Sequence, residues 1–169
     1  IGMAKTGKVA EAKAEVDKIR MLRGGDFKVP EAHCGFANSP SEYWPNFIEI
    51  LALSAAGVIA QEEGQQDEAV RLLAEAANRQ DAIGTNLVSP GMTLPARELL
   101  GEVLLEQGKA AEALAAFEAT LKAFPGRFNA MYGAGVAASK AGKKDVARKY
   151  LKDLLAQAKE ADDTRSAEL

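Results

Sequence analysis

A chain of 169 residues is long enough for one domain or a short array of repeats, and a compact fold of that length buries roughly two thirds of its extended-chain surface without metal or disulfide. Apolar residues make up 47%, charged residues 27% and aromatics only 6%, a bias toward alanine and leucine that suits closely packed helices and not sheets. The net charge of -3, with pI near 5.3 and no Lys/Arg run, argues against nucleic acid as a partner. The single Cys34 leaves no internal disulfide, and no apolar run reaches the roughly 18 residues a membrane-crossing helix needs.

Residues Ile1 to Gly7 lack the charged start and apolar core of a secretory signal and read as the tail of a helix. On that reading the chain is a piece of a longer soluble protein, and its compartment, cytoplasmic or periplasmic, would be written upstream. Val9, Ala12, Val16 and Ile19 recur at helical steps and predict a helix over 8–23. Turn formers gather in Gly24 to Ser41, an irregular connection. Ser39, Pro40 and Glu42 then give a capping residue, a first-turn proline and a returning carboxylate, which opens a helix over 40–63. Tyr43, Trp44 and Phe47 enter that helix together. Phe47 falls in helical register with Ile50 and Leu51, so the cluster reads as core before it reads as an interaction surface.

A helix over 66–80 follows, and then a second interruption, Gly84 to Thr93, where Ser89-Pro90-Gly91 forms a tight turn. That loop is either part of a binding face or a spacer that resets the angle between hairpins. Thr93 before Leu94 and Pro95 starts a helix over 94–107. In the next, 110–123, Ala113, Leu114, Phe117, Leu121 and Phe124 make one apolar stripe. A helix over 128–141 leads to a last one over 144–160, whose stripe runs Val146, Ala147, Tyr150, Leu151, Leu154, Leu155 and Ala158. Residues 162–169 form a polar tail.

One phrase recurs between these helices: Gly, four residues, Ala. It stands at Gly7 to Ala12, Gly64 to Ala69, Gly108 to Ala113 and Gly142 to Ala147. Glycine ends a helix cheaply in the left-handed conformation, and alanine lets the next helix approach closely. The last two copies lie 34 residues apart and the earlier intervals are 57 and 44, which leaves 23 and 10 residues beyond that period for the two irregular connections.

The segment Leu94 to Arg127, with Leu100, Gly101, Ala113, Phe117 and a closing Pro125, resembles the tetratricopeptide repeat. It departs from that pattern at Arg97 and Leu104, where aromatics are usual. The segment from Val88 to Glu102, continued by Pro125 to Ala134, resembles the C-terminal part of a group of bacterial tetratricopeptide proteins. The resemblance implies an all-α fold, an α-solenoid of antiparallel helical hairpins wound as a superhelix. The expected organisation is a partial repeat over 1–23, a connection over 24–41, a repeat over 42–83, a loop over 84–93, repeats over 94–127 and 128–161, and the tail.

By the same resemblance the first helix of each hairpin lines a concave groove, and Glu62, Glu98, Glu102, Glu106, Asn129, Tyr132 and Lys140 point toward it. Glu98, Glu102 and Glu106 are four apart and share one helix face whatever the fold. Like charges so placed repel by a few tenths of a kcal/mol per pair, so the row is either a solvated acidic face or a seat for a cationic peptide. Some relatives grip a partner's C-terminal carboxylate with Lys, Arg and Asn in this groove. Glutamates stand at that face here, so that activity is not carried over.

Glu31, His33 and Cys34 are the one cluster that hints at metal or nucleophilic chemistry. A zinc site wants three or four spaced ligands, and the chain has no second His or Cys. The cluster therefore reads as part of an exposed connection, with no metal, cofactor or catalytic residue expected. The function expected is a non-enzymatic scaffold that binds a protein or peptide. The alternative is self-association as a homo-oligomer, through an apolar face that the N-terminal half repeat leaves uncovered.

Overall fold

The computed structural model describes residues 1–24, 43–83 and 93–159. They form α1 (Gly2–Lys5), α2 (Val9–Gly24), α3 (Tyr43–Glu62), α4 (Gln66–Ile83), α5 (Ala96–Glu106), α6 (Ala110–Ala123), α7 (Phe128–Lys140) and α8 (Lys144–Ala158), with no strand among the described residues. The fold is the all-α helical repeat that the sequence implies. The connection over 25–42, with Glu31, His33, Cys34 and the Ser39 to Glu42 helix start, lies outside the described residues. So do residues 84–92 of the second interruption and residues 160–169, which include the tail over 162–169.

The recurring phrase folds the same way four times. Gly7, Gly64, Gly108 and Gly142 take φ of 81, 77, 76 and 77°, the left-handed region where a side chain would be strained. Around each glycine the chain makes a pair of backbone hydrogen bonds characteristic of a helix end. The glycine N–H donates three residues back, as in Gly108 to the Leu105 carbonyl at 3.2 Å, and the next N–H donates five back, as in Lys109 to Leu104 at 2.8 Å. The carbonyl of that same next residue then accepts the N–H of the phrase alanine: Lys8 from Ala12, Gln65 from Ala69, Lys109 from Ala113 and Lys143 from Ala147. One residue thus closes the first helix and opens the second. All four alanines are buried, as close helix packing requires.

Helix ends shift slightly from expectation for local reasons. α5 begins at Ala96, not Leu94, because Pro95 stands before it and its carbonyl accepts the N–H groups of Glu98 and Leu99. Two of the apolar stripes are wider than their buried parts. Leu51 is 40% exposed beside buried Ile50, and Leu155 is 48% exposed beside buried Leu154. Phe47 is half-buried.

The chain divides into two compact units, Ile1–Leu99 and Leu100–Leu169. In the first, α1 and α2 pair, α2 packs on α3, and α3 pairs with α4. Its core holds Ile50, Leu53, Ala76, Ala77 and Ala96, with Leu72 and Ile83 against it. Polar contacts fix the entry of α5 against the end of α4. The Gln80 side chain accepts the Ala96 N–H at 2.8 Å, one of the orphan donors of a helix start, and the Arg97 guanidinium donates to Asp81 and to Asn78. Lys13 and Glu63 pair at 2.6 Å and tie α2 to the end of α3.

In the second unit α6 packs on α7 and α7 on α8. Phe117 of α6 lies against two glycines. A Cβ added at Gly101 of α5 would stand 2.9 Å from its ring, and one added at Gly133 of α7 would come within 2.5 Å of ring Cε1. The same device appears at Gly57 against Leu73 and at Gly135 against Leu151. Within each hairpin the glycine meets a side chain sixteen positions on, at 57 and 73, 101 and 117, 135 and 151.

Gly133→Ala should therefore destabilise. The overpacking cost of about 1–3 kcal/mol outweighs the roughly 1 kcal/mol of helix propensity that alanine adds. Pairing it with Phe117→Leu should recover most of the loss in urea denaturation, whereas a double variant no better than the single would mean Phe117 is not the obstruction.

Candidate functional site

The 34-residue register places Glu98, Glu102 and Glu106 of α5 at the positions of Tyr132, Val136 and Lys140 of α7. On α7 this row divides cleanly from the packed side. Ala130, Gly133, Ala134, Ala137 and Ala138 are buried, while Asn129, Tyr132, Ser139 and Lys140 are exposed, Tyr132 at 49%. Small residues bring α7 close to its neighbours and leave its polar and aromatic residues on the opposite side.

On α5 the three glutamates of the expected row differ in burial. Glu98 has no exposed surface, Glu102 is half-buried and only Glu106 is exposed. The first turn of α5 is packed throughout, with Pro95, Ala96 and Leu99 buried around Glu98, because Gln80 and Arg97 hold that turn against α4. A carboxylate in such a turn belongs to the packing and is no open docking surface. All three glutamates have interaction partners, so the row is not a set of free charges. Glu62 is exposed at the end of α3, in the first unit. Of the seven residues expected in a groove, then, Glu106, Asn129, Tyr132 and Lys140 are exposed in the second unit, with Glu102 partly so.

Among the described residues no group of three His, Cys, Asp or Glu side chains could hold a metal ion, and no helix is long and apolar enough to cross a membrane.

The sequence reading missed an inter-helix pair. Tyr150 of α8 donates its hydroxyl to Glu118 of α6 at 3.3 Å. Burial pushes the Tyr150 hydroxyl above its ordinary value, and the Glu118 carboxylate pushes the same way by repelling the phenolate and accepting from the neutral form. The pair comes from residues 32 apart on two helices, so no local spacing announces it.

Two outcomes follow. Charge reversal at the buried Glu98 should cost about 3 kcal/mol or more, whereas Glu106→Lys should stay within about 0.5 kcal/mol. Equal melting temperatures for the two variants would contradict the burial of Glu98. For Tyr150, the folded state holds the phenolic proton more tightly than the unfolded chain, which titrates near pH 10. The contribution is therefore complete below about pH 10 and lost as pH rises through the higher folded value. Tyr150→Phe should flatten the alkaline decline of stability above about pH 10 in denaturant melts run across pH; an unchanged slope would remove Tyr150 from that titration.

Residues 98–163 match the family model described as a tetratricopeptide repeat. No curated protein and no solved structure matches the chain. The matched segment contains the glycine sockets around Phe117 and Leu151, the two turns at Gly108 and Gly142, and the 34-residue interval between them. The likeness to the tetratricopeptide repeat is thus carried by residues 98–163.

Proposed function

We propose that the protein is a non-enzymatic scaffold that binds a protein or peptide through the exposed sides of α5 and α7. Tetratricopeptide repeats generally mediate protein–protein interaction and are typically scaffolds without chemistry of their own. The observation that carries the reading is Tyr132, an aromatic left 49% exposed on a helix whose other side is wholly buried. Tyrosine is favoured as an interface anchor, since it brings a large amphipathic area at low entropic cost. Asn129 one turn before it offers both a donor and an acceptor.

The charge at this surface is mixed. Glu102 and Glu106 favour a cationic residue over α5, and Lys140, at the register position of Glu106, favours an anionic one near the end of α7. A partner segment with a cation and a carboxylate on either side of an apolar anchor suits that pattern, and complementary rim charges fix its direction.

A displayed random-peptide library selected on the full chain tests this. Recovered peptides should be rich in Lys or Arg. Tyr132→Ala should remove most of their affinity, and Glu102→Lys with Glu106→Lys should weaken it about tenfold or more with little change in melting. Peptides without a cation, or binding indifferent to all three substitutions, would reject the assignment.

A further inference from the structure

Setting the repeats in sequence register by their turn glycines aligns α4 with α8 and α2 with α6. Gly64 corresponds to Gly142 and Gly7 to Gly108, so Leu72 stands where the second unit has Tyr150, and Asp17 where it has Glu118. Val16 likewise stands for Phe117. In the second unit the space between the two second helices is bridged by a phenol, with Tyr150 hydrogen-bonded to the Glu118 carboxylate. In the first unit both bulky aromatics are replaced by smaller aliphatics, and the corresponding space is a cleft of about 260 Å³ between α2, α3 and α4.

Its lining is that of a phenol site without the phenol. Val16, Ile59 and Leu72 give apolar walls, Asp17 sits at the position of the accepting carboxylate, and Arg20 and Glu63 stand among them. Among the described residues Asp17 is held only by a 3.8 Å pair with Arg20, and it is 66% exposed, so it keeps accepting capacity for a new donor. An arginine beside an aromatic ring adds cation–π attraction. The volume is below the roughly 300–1,000 Å³ of drug-sized or cofactor pockets, which suits a single side chain.

We propose that this cleft receives a tyrosine side chain of a partner protein, whose hydroxyl donates to Asp17 as Tyr150 donates to Glu118. The unmodified phenol is the preferred occupant, because Asp17, Glu63 and Glu68 outnumber Lys13 and Arg20 around it and oppose a phosphate. This site involves the second helices of the first unit and is separate from the exposed residues of α5 and α7.

The experiment titrates the full, methyl-labelled chain with N-acetyl-tyrosinamide, N-acetyl-phenylalaninamide, N-acetyl-leucinamide and O-phospho-N-acetyl-tyrosinamide. Tyrosinamide should shift the methyls of Val16, Ile59 and Leu72 saturably and bind about tenfold tighter than phenylalaninamide, as a hydrogen bond to a charged acceptor implies. Asp17→Ala should erase that preference and leave the phenylalaninamide affinity intact. Leu72→Tyr, which installs the second unit's own solution, should abolish tyrosinamide binding while Tyr132→Ala leaves it unchanged. Should Leu72→Tyr fail to fold, the Asp17→Ala selectivity decides alone. Leucinamide or the phosphorylated amide binding as well as tyrosinamide, selectivity that survives Asp17→Ala, or no saturable shift would overturn the proposal.

Discussion

Phe117 has a glycine on each side of it, and the packing of the second unit depends on that arrangement. An aromatic ring on a second helix can fit between two first helices this closely only if neither carries a Cβ at the point of approach. Leu73 and Leu151 use the same socket with one glycine each. The alanine-rich interior follows from it. Once the helices approach this closely, the neighbouring positions must also be small, and Ala134, Ala137 and Ala138 have no exposed surface. The large side chains are few and the small ones many because the fold is built on proximity and not on bulk.

The turns serve the same end. A residue that terminates one helix and caps the next leaves no slack in the chain, so the direction of the second helix is set within three residues of the end of the first. The orphan carbonyls at each helix end are taken up by the glycine and its successor, and the alanine five residues after each glycine is buried. The polar residues of α7 are then displayed as a by-product: with one side committed to contact, Asn129, Tyr132 and Lys140 have only the other side to occupy.

Features governed by the local backbone were legible in the sequence. The four glycines announced the four left-handed turns, since few other residues can occupy that conformation, and helix limits followed to within a few residues. The failures came where burial depends on a neighbouring element. Glu98 reads as one of three equivalent glutamates, and nothing in its spacing shows that Gln80 and Arg97 draw the first turn of α5 into the packing. Leu155 reads as core because its period is right, although it is nearly half exposed. Tyr150 and Glu118 belong to different helices, and their pairing becomes readable only once the repeats are set in register.

The sixteen-residue offset between each glycine and the side chain it receives also constrains how such a chain can change length. One residue added between Gly101 and Phe117 would turn everything beyond it by about 100° about the helix axis and carry the ring away from both glycines. The interior of a hairpin is thus closed to insertion and deletion. Length can vary only where one hairpin hands over to the next, and the organisation expected from the sequence puts both surplus segments, 23 and 10 residues beyond the 34-residue period, at such junctions.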